Sequence, residues 1–378
     1  MLKDGRIFAF DFFCGAGGLT RGLIDAGIKV IAGFDKNENC KKTFESNNQP
    51  AKFICSDVAD ITVADLKNKA VNLSFENILF AGCAPCQPFS QQRKGGENHK
   101  DATLLREFGR LVEEALPGQV LIENVPGIAN IKGNSVFNRF LRMLSRNGYS
   151  YKYGVLNAKF FGVPQNRRRL ILIGMRGTTA TLPISTHGCG RIPYQTVRNA
   201  IAHFPPIEAG ERHIDVPNHV AALITKINLQ RISNIPVDGG DRRSLPKHLW
   251  LKCHSGNYEG HTDVYGRMYW DRPAPTLTGK CNSISNGRYG HPNQNRAISL
   301  REAASLQSFS DEYVFYGTNN QVALQIGNSV PPLFAKILGE HILMLRGLRR
   351  KKPSGMTFPQ IIQAQESKKL DGYLTKDL

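Results

Sequence analysis

The 378-residue sequence predicts an α/β chain: an open parallel sheet of the nucleotide-binding type, joined to a smaller irregular lobe. Short apolar strands alternate with helical runs through the first third of the chain. Several of those strands end on glycine or an acidic residue, where an open sheet places its ligand crevice. Beyond residue 176 long periodic runs become rare, and Gly, Pro, Asn and Arg take over.

The first strand is IFAFDF (7–12), short, aromatic and followed by glycines. CGAGGLTRGLIDAG (14–27) then supplies a glycine turn, a helical run and Gly27 as its stop. Such a turn lets a ligand approach the backbone, with helix N-terminal amides facing its anionic end. The next strand, KVIAGFD, ends on Asp35, about twenty residues after Gly15, the usual distance to a carboxylate that grips ribose hydroxyls. A third, AKFICSD, ends on Asp57, whose carboxylate suits an amino group such as that of adenine. A tight strand-to-helix turn alone would also explain the glycines, but two later strands that end in Asp favour an adenosyl ligand. The missing third glycine of G-x-G-x-x-G disfavours NAD and leaves room for a ligand bearing a carboxylate.

Composition narrows the class. The formal charge of +18 and a pI near 9.6 suit a polyanionic partner, most often nucleic acid. Eight cysteines are too sparse for a disulfide scaffold, so a cytoplasmic setting is expected. No apolar run approaches the roughly 20 residues of a membrane span, and the N-terminus does not read as a secretory signal.

Further strand ends carry the chemistry. NILFAG (77–82) leads into GCAPCQPFS, and QVLIENVPG (119–127) places Glu123 after another apolar strand. Cys86 and Glu123 then share an edge with the glycine turn, where a partly dry crevice raises a carboxyl pKa toward acid catalysis. Cys83 and Cys86 form no zinc site by spacing, because no second C-x-x-C exists. A thioredoxin-like pair would begin a helix, which Pro88 opposes. A single nucleophilic thiol, fixed by Pro85, explains more of the stretch. Later, three arginines feed a strand in GVPQNRRRLILIG (162–174), and GNSVPPLFAKILGEHILML reads as a glycine–asparagine turn followed by a long apolar helix. SLREAASLQSF (299–309) reads as a helix capped by Ser299 with Glu302 three positions on.

In order along the chain, DFFCGAGG, PCQPFS, ENVPG, QNRRRL, RPAPTLT and GNSVPP resemble the motifs of the cytosine-C5 DNA methyltransferases, from residue 11 to about 336. The resemblance implies a Rossmann-like S-adenosylmethionine-dependent sheet, formed by residues 1–176 plus 327–348. It implies a target-recognition domain over 177–326 and leaves 349–378 as a polar tail. Cys86 matches the thiol that adds to cytosine C6, Glu123 the carboxyl that binds N3 and the exocyclic amine, and Arg169 the arginine at O2. Arg167 matches the residue that helps place it, while Arg168 points elsewhere on an extended segment. Phe13, Gly15, Gly17, Gly18, Asp35, Asp57, Pro85 and Asn328 match cofactor contacts, and no metal is implied. Cys83 has no family role and is expected to pack.

Segment 87–106 corresponds to the loop that closes on a flipped base, with Ser90, Arg93 and Lys94 as phosphate partners. Its HKDATLL departs from the arginine that many relatives carry there, so no loop-arginine role is transferred. The lobe over 176–298 holds 15 Lys/Arg against 8 Asp/Glu and suits a DNA-facing surface. Arg242, Arg243 and Arg267 are the expected base readers, since arginine to guanine is the commonest direct pairing. The resemblance implies double-stranded DNA as partner and a monomeric bacterial or phage enzyme paired with a restriction endonuclease. An RNA cytosine-C5 methyltransferase and a catalytically silent DNA-binding relative are the alternatives.

Overall fold

The computed structural model describes residues 6–84, 99–130, 135–251 and 263–347. Seven strands form one sheet: β1 (Phe8–Phe12), β2 (Lys29–Asp35), β3 (Lys52–Cys55), β4 (Ile78–Gly82), β5 (Gln119–Asn124), β6 (Tyr149–Asn157) and β7 (Arg168–Arg176). Their spatial order is β3-β2-β1-β4-β5-β7-β6. The first five run parallel, whereas β7 is antiparallel to both its neighbours. β1, β4 and β5 are almost wholly buried, as befits strands covered on both faces. The expected strands are all present within one to three residues.

Helix α1 (Gly18–Ala26) begins after the glycine turn and stops at Gly27, which is left-handed (φ 96°). It lies against the last helix, α10 (Pro332–Leu345), whose proline start agrees with the sequence. The contact is close because it is built from small residues. A Cβ on Gly22 would collide with the Pro332 carbonyl and the Ala335 Cβ, and one on Gly339 would come 2.8 Å from Ala26 Cβ. The C-terminal helix thus returns to the sheet, and Val330, Phe334, Leu338 and Ile342 share a core with Leu19, Leu23 and Val30.

A second core holds α8 (Leu300–Leu306) and α9 (Asn319–Asn328) together with Val197, Leu277 and Tyr289, and it reaches the glycine turn after β1 at Ala16. The cap of α8 is as expected: Ser299 accepts from the Glu302 amide, and Glu302 accepts from that of Ser299. Gly327–Asn328 is not the turn expected from sequence. Both residues close the last turn of α9, and glycine is required because a Cβ would strike the Thr278 backbone.

An acid of β1 sits inside the sheet. Asp11 is fully buried; Thr20 Oγ1 donates to its Oδ2 at 2.6 Å, and Oδ1 has no partner among the described residues. Burial pushes its pKa from 3.8 up to about 7, against the opposing Thr20 hydrogen bond. Folding therefore favours the protonated acid. That contribution is complete below pH 3.8 and is lost, to the extent of ~4 kcal/mol, as pH rises through 7. His291, held down to about 4 mainly by burial, acts with the opposite sign, since its stability is lost as pH falls from 6.5.

Two outcomes are expected. Asp11→Asn should gain stability relative to the wild type between pH 4 and pH 8, read by urea unfolding; a pH-independent difference would show that Asp11 does not titrate there. Gly22→Ala should cost about 1–3 kcal/mol by overpacking the α1–α10 crossing, measured in the same assay.

Candidate active site

The parallel strands deliver their carboxyl ends to one edge of the sheet. At the end of β1, Phe13 takes a left-handed backbone (φ 61°), rare for a residue with a bulky side chain, and Gly15 and Gly17 follow with positive φ. Asp35, at the end of β2, accepts from the Gly15 amide at 2.9 Å through Oδ2 and from the Asn37 amide at 2.8 Å through Oδ1. Its carboxylate is thereby aimed, while each oxygen keeps a further lone pair. A Cβ on Gly15 would meet nothing nearer than Asp35 Oδ2 at 4.0 Å, so open space lies beside this carboxylate. That strained turn, open space and oriented acid fit an adenosyl-type ligand.

The other glycines have packing reasons. A Cβ on Gly17 would collide with Asn48, and one on Gly18 with the Val330 carbonyl. Asp57 accepts from the Ala59 amide at 3.1 Å and caps a short 3-10 turn. Asn328 is exposed at the end of α9.

Across the edge, the segment leaving β4 is held from two sides. The Cys83 amide donates to the Phe12 carbonyl at 3.3 Å, and Asn124 Nδ2 donates to the Ala84 carbonyl at 3.1 Å. Pro85, Cys86, Ser90, Arg93 and Lys94 lie beyond it, outside the described residues. Glu123, only 2% exposed, stands next to this segment. Arg169 Nε is 3.0 Å from its Oε1, an ion pair without a directed hydrogen bond, and the Cys83 thiol donates to Oε2 at 2.8 Å. Glu123 and Arg169, each expected at the site but not as partners, are therefore brought together, and Arg168 faces solvent as alternation requires.

Cys83 was expected only to pack, and its hydrogen bond is a feature that residue types alone did not reveal. The signal was register: Gly82 pairs with Ile122, so the residues that follow them, Cys83 and Glu123, emerge side by side. Burial first, and the Glu123 charge next, push the Cys83 thiol well above its usual range, so it remains an S–H donor.

Arg167 is placed differently from Arg169. Its guanidinium is buried and donates to the carbonyls of Leu277 (3.1 Å), Gly327 (3.2 Å) and Ser329 (3.0 Å). Its Nε has no partner among the described residues. Burial lowers its pKa most and the neighbouring Arg169 charge adds to this, while Glu123 opposes.

Of the three arginines expected to read bases, Arg267 requires correction. It is 1% exposed, and it donates to the carbonyls of Ile235, His291, Gln294 and Ile232 and to Asn295. A guanidinium so engaged has no donor left for DNA, and its role is to hold irregular backbone together. Arg243 is exposed, oriented by a two-pronged contact with Asp241, and Arg242 is partly exposed beside it.

Comparison with known proteins gives the family. The sequence profile of the C-5 cytosine-specific DNA methylases matches residues 7–344. The Type II methylase M.HgiDII of Herpetosiphon aurantiacus is 37% identical over 348 residues, covering 90% of this chain and 97% of its own. The Type II methyltransferase M1.HphI of Haemophilus parahaemolyticus is 32% identical, covering 89% and 86%. Among solved structures, an Escherichia coli prophage protein described as a DNA modification methyltransferase superposes with a TM-score of 0.69 at 22% identity, over 90% of this chain and 99% of that one. The Entamoeba histolytica methyltransferase EhMeth does so with 0.60 at 18% identity, over 91% and 99%. These structures share the fold. With the profile spanning nearly the whole chain, the protein belongs to the C-5 cytosine-specific DNA methylase family and is a DNA cytosine-5-methyltransferase.

Proposed function

We propose that the protein methylates C5 of a flipped-out cytosine within a specific double-stranded DNA sequence, with Cys86 as nucleophile and S-adenosylmethionine as donor. The observation that carries this reading is the Glu123–Arg169 pair, set beside the tethered segment that leads to Cys86. Cytosine C5 is too electron-poor to attack a methyl donor unaided. Addition of the Cys86 thiolate to C6 pushes the ring electrons toward N3 and C5, and the Glu123 carboxyl, bonded to N3 and the exocyclic amine, gives a proton to N3 so that the adduct stays neutral and C5 becomes enamine-like. Arg169 holds the O2 edge while keeping Glu123 in place. Loss of the C5 proton then restores the C5–C6 double bond and expels the thiolate. Because C6 is inaccessible inside the stack, the base has to leave the duplex.

S-adenosylmethionine, when bound, supplies the electrophilic methyl group. Phe13, Gly15 and Asp35 are the residues best disposed to hold it, and Asp57, Gly17, Gly18, Pro85 and Asn328 are the further cofactor contacts that the family resemblance implies. Residues 1–176 plus 327–348 form the catalytic domain and 177–326 the recognition domain in this reading, supported by the separate packing around the sheet and around Leu277 and Tyr289. Ser90, Arg93, Lys94, Arg242 and Arg243 contact DNA. In this reading the protein is a bacterial monomer of the cytoplasm that acts alongside a restriction endonuclease; the Type II names and bacterial sources of its relatives support the bacterial, restriction-linked part of it. No helix among the described residues is long and apolar enough to cross a membrane.

Cys86→Ser should lower methyl transfer by at least about 10³-fold. Duplex DNA carrying 5-fluorocytosine should trap the wild type covalently but not this variant, because fluorine blocks the final elimination; an untrapped wild type overturns the mechanism. Arg243→Ala should weaken binding to the target sequence by about 1–3 kcal/mol and relax specificity at one base pair. Unchanged affinity and unchanged sequence preference would remove Arg243 from base reading.

A further inference from the structure

We propose that Cys83 is the positioning residue of the Glu123 carboxyl, acting through the thiol hydrogen bond to Oε2. This deepens the reading above and rests on its assignment of Glu123 to the target base.

The geometry of the pair is set by backbone rather than by chance side-chain contact. Gly82 and Ile122 are paired in the sheet, and the Cys83 amide is bonded to the Phe12 carbonyl. The thiol therefore leaves a fixed Cα, and its Sγ lies 2.8 Å from Glu123 Oε2. Glu123 is 2% exposed, so a charged carboxyl there needs donors from the protein. Arg169 offers charge to Oε1 without a directed hydrogen bond. Among the described residues, the Cys83 S–H is the one directed donor to the carboxyl.

That division of labour suits the chemistry. Oε2 is turned toward Cys83, which leaves Oε1, next to Arg169, as the oxygen that meets the base. A thiol is also a weak donor and a weak acceptor. It orients the carboxyl through a single directed contact at Oε2 and leaves Oε1 without one. The thiol remains protonated, as burial and the adjacent carboxylate both require.

The variants Cys83→Ala and Cys83→Ser separate positioning from packing. Alanine removes the donor: kcat should fall about 10-fold with little change in KM for DNA. Serine keeps a hydroxyl in the same place and should restore kcat. If Cys83 only fills space, the order reverses, because a hydroxyl in an apolar pocket is costlier than a methyl. Serine below alanine, or an alanine variant with wild-type kcat, overturns the proposal.

Glu123→Gln is the companion measurement. Full activity in that variant removes the assignment of Glu123 itself, whereas its inactivity beside an unaffected Cys83→Ala removes only the role of Cys83. A readout independent of turnover is the infrared S–H stretch in the difference spectrum of wild type and Cys83→Ser. A band lowered in frequency by a carboxylate acceptor is expected, and one at the position of a free thiol overturns the hydrogen bond.

Discussion

Arg167 carries its positive charge into a position only 2% exposed, where the carbonyls of Leu277, Gly327 and Ser329 receive it. Those acceptors come from the segment before α9, from the end of α9 and from the start of the return to the sheet. One guanidinium thus ties the beginning of β7 to both crossings of the seam. Burying such a charge costs several kcal/mol, and hydrogen bonds to a charged group recover about 1.5–3 kcal/mol each. Removal of any acceptor segment would leave the charge stranded. Gln165 reinforces the seam, donating to the Leu306 carbonyl and to Gln307 while accepting from the Leu277 amide. Arg169, two residues along the strand, inherits a fixed backbone from which to reach Glu123.

The same device recurs through the lobe with little regular structure. Irregular backbone leaves carbonyls that no ladder satisfies, and each must find a partner when buried. Arginine supplies five donors in one rigid fork. Arg267 gathers four carbonyls, Arg301 gathers those of Pro217, Ser310 and Tyr313, and Arg296 makes a fork-to-fork pair with Glu302 at 2.7 and 2.8 Å. All are essentially unexposed. The basic composition of this chain is therefore partly an internal scaffold, and only part of its excess faces outward to nucleic acid.

That distinction explains what could be read from sequence. Strands, the glycine turn, Gly27, the Ser299 cap and the prolines of α10 are local signals, each fixed by neighbours within a few residues. Arg267 was misjudged because its acceptors lie 24 to 35 residues away, and an arginine in a loop-rich stretch looks alike whether it faces DNA or carbonyls. Gly327 was read as a turn for a similar reason: the Thr278 backbone that forbids a Cβ is distant in sequence. The Cys83–Glu123 bond needed the register of β4 with β5, which no short motif contains. Glu123 and Arg169 were legible because their motifs abut strand ends, although the partner each would find was not.

Strand direction explains where each motif stands relative to its strand. β1, β2, β4 and β5 are parallel, so Phe13, Asp35, Cys83 and Glu123 reach the shared edge at or just past the ends of their strands. β7 runs the other way, with Asn124 opposite Leu170 and Glu123 opposite Ile171. Its beginning, not its end, therefore lies at that edge. An arginine that must face Glu123 has to precede the apolar run, and QNRRRLILIG has this order. Alternation then assigns the three arginines: Arg167 to the seam, Arg168 to solvent and Arg169 to the carboxyl. A three-residue run that composition alone would leave as a charged surface is divided into three environments by one reversal of strand direction.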